Sequence, residues 1–292
     1  MAFRNAIFAG GGSRCVWQLG FWEGANRAGL GLDKTVDYAA STSAGCAMAT
    51  AAMLDRGPEA MAMFLELVAR NPANVHWHNL LPGRNGRLLP HIDMYRECLE
   101  RLLSDDDLAP LQQRRVEFLI ARPPRWLNGG LGAMTAFSVY GLEKALTGAL
   151  HPRWTRRLGF EPVVGGSQDA ANIGEFIDTI LASSCVPPVL PGGRFRGERM
   201  LDGGMIDNVP AFLADGREGA TLVLLSKRYR NALPAHRSRV YVQPSEPITI
   251  DKFDYANAKG IQWTYDLGIR NGTAFANSER VLALQEAAAA CG

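Results

Sequence analysis

The sequence predicts an α/β protein in which a mostly parallel, doubly wound sheet lies between two layers of helices. Short apolar runs that are typical of buried strands alternate along the chain with segments that are typical of helices. The chain has 292 residues and is 47% hydrophobic, which is enough to bury a large core. No internal repeat or low-complexity linker divides it, so we expect a single domain over residues 1–292.

The first elements place glycine and small residues directly after strands. Residues 5–9 form an apolar run that ends at Gly10-Gly11-Gly12, which predicts a buried strand, a turn and then a helix over about 13–28. A second strand is predicted over 36–40. The segment 44–54 is apolar nearly all round, which is typical of a buried helix.

The same alternation continues through the rest of the chain. We predict further helices over 58–68, 173–183 and 254–274, and further strands over 116–121, 221–225 and 239–242. Residues 128–166 are rich in glycine and polar by turns. We therefore expect an insertion, or lid, over the sheet there rather than a separate core.

Basic residues outnumber acidic ones over residues 114–160, and aromatic side chains such as Trp126 and Trp154 are interleaved with them. A basic and aromatic segment of this kind suits docking on anionic lipid, which predicts peripheral association with a membrane. A solvated face with a few core aromatics is the alternative, and the sequence leaves it open.

The overall composition argues against several classes of protein. The net charge is only +2, so we expect no nucleic-acid partner. The five cysteines are scattered without CxxC spacing, which indicates reduced thiols in a cytoplasmic protein rather than a zinc site or a disulfide framework. We find no signal peptide, no apolar run of about 18 residues that could span a membrane, and no cluster of metal ligands. We therefore expect no metal and no other cofactor.

The first segment with chemical potential is the glycine run that leads into Ser13 and Arg14. Backbone N–H groups at such a turn, before a helix, can bind an anion. The run lacks the GK[ST] of a phosphate-binding loop, and Cys15 stands where a dinucleotide fingerprint needs glycine. An oxyanion hole fits better. A tight turn that simply requires glycine is the alternative.

The second segment is Ser41-Thr42-Ser43-Ala44-Gly45, between the second strand and the buried helix. A serine on a sharp strand-to-helix turn among small residues is typical of a nucleophile elbow, and the N–H of Ala44 would then complete the oxyanion hole. An ordinary loop serine that caps the helix is the alternative.

The third segment is Asp202-Gly203-Gly204, followed by Asn208-Val209-Pro210. A carboxylate on a Gly-Gly turn can approach a neighbouring backbone and side chain closely. Asp-Gly is also a strong signal for a hairpin turn, and this interpretation is favoured when the segment is taken alone.

Together these segments resemble the patatin-like phospholipase family, which carries G-G-G-x-R/K-G after its first strand, then G-x-S-x-G, and later D-G-G or D-G-A followed by N-x-P. The order and spacing agree, and residues 182–191 resemble the A-S-x-A-x-P block that precedes the aspartate. The sequence departs from the family pattern at Cys15 and Ser41, which are small residues in place of glycine.

The resemblance implies a patatin-like fold and a catalytic dyad without histidine, with Ser43 as nucleophile and Asp202 as general base. The oxyanion hole would be formed by Gly10, Gly11, Gly12 and Ala44. The supporting residues would be Arg14, Ser41, Gly45, Gly203, Gly204 and Asn208.

The resemblance also implies a function in lipid metabolism. We expect a serine acyl hydrolase that cleaves carboxylic esters of phospholipids, lysophospholipids or related acyl lipids through an acyl-serine intermediate. One alternative is an inactive lipid-binding or scaffold protein on the same fold, and another is a nucleotide-binding module. A third is a Ser-Asp-His esterase that uses His236, although the cations around His236 disfavour a protonated imidazole.

Overall fold

The computed structural model describes residues 3–80, 86–124, 157–279 and 281. The described strands, in chain order, are β1 (Phe3–Phe8), β2 (Tyr38–Thr42), β3 (Val116–Arg122), β4 (Glu161–Gly166), β5 (Arg194–Phe195), β6 (Glu198–Arg199), β7 (Leu201–Asp202), β8 (Ala220–Leu224) and β9 (Arg239–Val242). The described helices are α1 (Val16–Arg27), α2 (Leu32–Thr35), α3 (Gly45–Met53), α4 (Gly57–Arg70), α5 (His91–Leu102), α6 (Leu108–Gln113), α7 (Ile173–Ser183) and α8 (Ala258–Ala276).

The central sheet is mixed but mostly parallel. Its strand order is β4-β3-β2-β1-β8-β9, and the short β7 pairs with β3. The five strands from β3 to β9 in this order are parallel to one another, whereas β4 and β7 run antiparallel to β3. Helices flank this sheet, as the predicted three-layer α/β/α fold requires.

Successive residues at the end of β1, and Ala9 directly after it, show that a core lies on each face of the sheet. Ala6 and Phe8 point into the large cluster that contains the buried faces of α1, α3, α4, α5 and α8. Ile7 and Ala9 point to the other face, where they pack with Val209 and with Ala211 of a 3-10 helix. Side chains along a strand alternate between the two faces of the sheet. A strand whose apolar residues are consecutive is therefore buried on both faces.

The element predictions agree with the structure along most of the described chain. The strand predicted over 36–40 lies at Tyr38–Thr42, and the helix predicted over 254–274 begins at Ala258. The insertion was predicted over 128–166, but its last residues belong to the sheet, because Glu161–Gly166 forms the antiparallel edge strand β4. Residues 125–156 lie outside the described residues. They include most of the predicted insertion and both Trp126 and Trp154 of the basic and aromatic segment, so the lid and the docking on anionic lipid stay predictions.

No helix in the described ranges is both long enough and apolar enough to cross a bilayer.

Strand β3 aligns the two segments that matter most for the site. Thr42, the last residue of β2, pairs with Leu119, and Asp202 of β7 pairs with the next residue, Ile120. Since β4 pairs with the other edge of β3, β2 and β7 lie end to end along the same edge. Ser43 directly follows Thr42, so the sheet brings Ser43 and Asp202 together although they are 159 residues apart in the chain.

Candidate active site

Ser43 occupies a strained turn between β2 and α3. Its φ is 56°, in the left-handed region that non-glycine residues rarely adopt, and only 4% of the residue is exposed. Its backbone N–H donates to the hydroxyl of Ser183 at 3.0 Å, and this hydroxyl in turn donates to the carbonyl oxygen of Leu119 at 2.7 Å. The turn is therefore held by a serine at the end of α7 as well as by its own small residues.

Asp202 accepts a hydrogen bond directly from the hydroxyl group of Ser43. Ser43 Oγ donates to Asp202 Oδ2 at 2.5 Å, and the N–H of Gly204 donates to Asp202 Oδ1 at 2.6 Å. Asp202 is 3% exposed. A Cβ atom at Gly203 would overlap the carbonyl oxygen of Leu119, so only glycine allows the turn to lie this close to β3. Both carboxylate oxygens thus have a fixed donor, and one of these donors is the candidate nucleophile.

The predicted oxyanion loop needs one correction. The N–H of Gly10 donates to the carbonyl oxygen of Asn208 at 2.9 Å, so it is not available to bind an oxyanion. The carbonyl oxygen of Gly10 accepts from Asn208 Nδ2 and from Ser226 Oγ, each at 2.6 Å. Gly10 therefore holds the glycine loop to the segments that follow β7 and β8, through Asn208 and Ser226. Sequence patterns predicted a supporting role for Asn208 but did not indicate Ser226 as a site residue.

Gly11, Gly12 and Ala44 remain as candidate oxyanion donors. Within the described part of the chain, none of their N–H groups donates to a backbone or side-chain acceptor. Gly12 and Ala44 also line the same cavity. Gly12 has φ +61°, and a Cβ atom there would overlap the carbonyl oxygen of Lys252, so this position requires glycine on both counts.

Residues 250–254 hold the start of the helix that follows the glycine loop. The N–H of Ser13 donates to Lys252 O at 2.9 Å, and Arg14 Nε donates to Ile250 O at 2.8 Å. The Arg14 side chain is therefore a clamp on this segment, and sequence reasoning did not connect residues 250–254 to the site.

The two departures from the family pattern lie where glycine is not needed. Cys15 has φ −65°, a helical value, and its thiol donates to Ala9 O at 3.3 Å. Ser41 lies within β2, buried and paired with Phe8 and Phe118. Gly45 is the position of close approach, since a Cβ atom there would lie 2.6 Å from the carbonyl oxygen of Phe8.

The buried thiols near Asp202 carry no charge at neutral pH. Burial raises the pKa of Cys46 to about 12, and burial also raises the pKa of Cys15 far above its ordinary value. Neutral thiols add no negative charge beside the Asp202 carboxylate, and they are poor nucleophiles.

The histidines within the described residues do not form a relay to Ser43 in the contacts they make. His236 is exposed, and its Nδ1 lies 3.3 Å from the N–H and the hydroxyl of Ser238. His76 bonds to Asn71, and His91 bonds to the carbonyl oxygen of Phe253. A Ser-Asp-His triad needs an imidazole between serine and aspartate, but here the serine hydroxyl donates to the carboxylate itself.

An apolar cavity is lined in part by Gly12 and Ala44. It continues between α1, α3, α4 and α5, where its lining includes Leu19, Met61 and Leu99. We call it the acyl cavity. Its volume is about 50 Å³, so in this structure it is a narrow slot. Among the described residues, no three His, Cys, Asp or Glu side chains are grouped as metal ligands would be.

The comparisons with known proteins bear on the family of this chain. The model of the patatin-like phospholipase family matches residues 6–215, which include the glycine loop, Ser43 and Asp202. No curated protein matches the chain. The family match covers more than half of the sequence. The chain therefore belongs to the patatin-like phospholipase family.

Proposed function

We propose that this protein is a serine acyl hydrolase that cleaves carboxylic ester bonds of lipids, with Ser43 as nucleophile and Asp202 as general base. The family to which the chain belongs acts on lipid esters. The observation that carries the proposal is the 2.5 Å hydrogen bond from Ser43 Oγ to Asp202 Oδ2. A general base must lie within hydrogen-bond reach of the proton that it removes, and this distance satisfies that requirement without any intermediate group.

The reaction takes two steps. Ser43 Oγ attacks the ester carbonyl carbon while its proton passes to Asp202, and the tetrahedral intermediate then expels the alcohol, which takes the proton from Asp202. In the second step Asp202 removes a proton from water, the water oxygen attacks the acyl-serine, and the proton returns to Ser43 Oγ as the carboxylic acid leaves. Asp202 ends each cycle as the carboxylate with which it began.

The oxyanion of both tetrahedral intermediates would be held by the N–H groups of Gly11, Gly12 and Ala44. Loss of one such donor typically costs about 10²–10³ in rate. These groups have no other acceptor within the described residues, so no hydrogen bond must break before they bind the oxyanion. Gly10 takes no part as a donor, because its N–H is bound to Asn208.

The acyl cavity is suited to the fatty-acyl part of the substrate. Gly12 and Ala44, two of the proposed oxyanion donors, line it, and the rest of its lining is mostly apolar. Burial of an apolar chain stabilises the complex by about 0.8 kcal/mol per CH₂. We infer that the substrates are phospholipids, lysophospholipids or related acyl lipids, which the protein meets at a membrane or micelle surface.

The test is hydrolysis of p-nitrophenyl butyrate by purified variants whose thermal unfolding matches that of the wild type. Ser43→Ala should lower kcat by about 10⁴-fold or more, because the acyl-enzyme cannot form. Asp202→Asn should lower kcat by about 10²–10⁴-fold, the usual contribution of general acid–base catalysis. His236→Ala should keep the wild-type rate.

Two results would contradict the proposal. Loss of activity in His236→Ala together with an active Asp202→Asn would assign the base to histidine. A folded wild type that hydrolyses neither this ester nor a lysophospholipid would instead favour the inactive lipid-binding protein on the same fold.

A further inference from the structure

A second cavity lies beside the glycine loop. It has a volume of about 210 Å³, and its lining is Gly10, Gly11, Arg14, Asn208, Ser226, Lys227 and Lys252. The acyl cavity and this one share the glycine loop but no lining residue. Because three of its side chains are cations, we call it the cationic cavity. The cationic cavity is close to the proposed nucleophile, because its lining residue Gly10 lies against Ser43.

Within the described residues, these three cations have little compensation from carboxylates. Arg14 forms one long ion pair, with Asp251 at 4.0 Å, and the Asp251 side chain is 96% exposed. Within the described ranges, no carboxylate lies within ion-pair distance of Lys227 or Lys252. Their amines instead lie 4.8 Å from the ring centre of Tyr229 and 5.3 Å from that of Phe253, respectively.

Positive charge that is only weakly compensated in a half-buried cavity opposes folding. Burial lowers the pKa of Lys227, and the charges of Arg14 and Lys252 lower it further. A solvated cationic face would spread its charges apart in water, but these three line one cavity beside the reacting groups. A bound anion would offset their mutual repulsion and would receive several charge-assisted hydrogen bonds.

We propose that the cationic cavity binds the phosphate group of the substrate, so that the enzyme prefers acyl lipids whose alcohol part carries a phosphate monoester. This inference rests on the proposed function. The acyl chain enters the acyl cavity, the ester carbonyl lies at Ser43, and the alcohol side extends past Gly10 and Gly11 to Arg14, Lys227 and Lys252. A phosphate monoester carries about −1.5 to −2 charges at pH 7 and three acceptor oxygens. A phosphocholine group, which adds a positive charge, fits three cations less well.

The experiment compares two substrates with the same acyl chain, lysophosphatidic acid and the uncharged monoacylglycerol. The wild type should show kcat/KM at least about tenfold higher for lysophosphatidic acid, since hydrogen bonds between charged groups are the strong ones. In the double variant Lys227→Met/Lys252→Met this ratio should fall by about tenfold or more. The double variant Lys227→Arg/Lys252→Arg keeps both charges and should keep the preference.

Lys259→Met is the matched control, because Lys259 is an exposed lysine seven residues beyond Lys252 and does not line the cavity. It should keep the wild-type ratio. An equal loss in Lys259→Met would mean that general surface charge, rather than the cavity, attracts the substrate, and the proposal would be wrong.

Inorganic phosphate separates the lipid headgroup from free phosphate as the source of the anion. We expect phosphate to inhibit hydrolysis of lysophosphatidic acid competitively in the wild type and much less in the Met double variant. Inhibition without any substrate preference would show a free-phosphate site and would overturn the proposal. Hydrolysis of monoacylglycerol that depends on Ser43 but shows no phosphate preference would overturn this inference alone, whereas activity that survives in Ser43→Ala would overturn the proposed function as well.

Discussion

The backbone of Ser43 is held at φ 56° by a partner that comes from elsewhere in the chain. The Ser183 hydroxyl accepts the N–H of Ser43 and donates to Leu119 O, so it ties the turn to β3. Motifs identified Ser43 and Asp202 because each stands among small residues in a recognisable order. Ser183 lies in residues 182–191, which also resemble the family. Its contact with Ser43 depends on where α7 ends relative to β3, and the spacing of residues along the sequence does not reveal that.

Ser183→Ala should weaken the turn that holds Ser43. It should lower the free energy of unfolding by about 1–3 kcal/mol, because a buried N–H loses its acceptor. It should also lower kcat by roughly ten- to a hundredfold, because the proposed nucleophile Ser43 is no longer held in place. Denaturant unfolding and p-nitrophenyl butyrate kinetics measure the two effects.

Ser167→Ala is its matched control. The Ser167 hydroxyl accepts a buried N–H in the same way, from Val116 at 3.1 Å, but at the other end of β3. Ser167→Ala should lower the free energy of unfolding by a similar amount to Ser183→Ala, but it should change kcat much less. If the two variants lose activity to the same degree, Ser183 has no special role in positioning Ser43.

At the scale of elements, apolar runs were sufficient to predict β1, β3 and β8, because strands that are buried on both faces have no polar alternation. The half-buried edge strand β9 was also predicted, from its short apolar run. The edge strand β4 was missed. Its sequence contains Pro162 and two glycines, which are typical of a loop, and its place in the sheet is decided by pairing with β3. Helix α5 was not predicted either, although it buries Leu99 and Leu102 against the large core.

Helices α1 and α8 were both predicted, but their contact was not, since it joins opposite ends of the chain. They pack with backbone against backbone. A Cβ atom at Gly20 would overlap the Tyr265 carbonyl oxygen, and one at Gly268 would overlap that of Trp17. Because α1 follows the glycine loop and α8 follows residues 250–254, this contact supports the site from both sides.

The element-scale prediction is that Gly268→Ala destabilises the protein by about 1–3 kcal/mol, because the added methyl group forces the helices apart. Gly57→Ala is the control. A Cβ atom at Gly57 would lie 3.8 Å from its nearest neighbour, Leu19 Cδ2, so the change should stay within about 1 kcal/mol of the wild type. Thermal and urea unfolding measure both, and equal effects would show that the helices are not in close backbone contact.

At the scale of the whole molecule, stability should depend on pH through His91. This histidine is buried against Tyr255, and burial lowers its pKa below the ordinary value. As the pH falls through about 6.5, the unfolded chain therefore binds a proton that the folded protein does not, and the free energy of unfolding decreases. Above that pH the histidine is neutral in both states and contributes no pH dependence.

His91→Gln should therefore flatten the loss of stability between about pH 6.5 and 5. Unfolding by urea across this range measures the slope. His236→Gln is the control, because His236 is exposed and its replacement should leave the wild-type slope unchanged. A slope that His91→Gln does not alter would contradict the assignment.

Covalent labelling with a fluorophosphonate probe, followed by peptide mapping, tests most directly whether Ser43 is the nucleophile. We expect a single phosphonylated residue, Ser43, in the wild type, no labelling of Ser43→Ala, and labelling of Asp202→Asn slowed by about 10² or more. Labelling of an ordered Ser43→Ala protein at the wild-type rate, or no labelling of the ordered wild type, would contradict it.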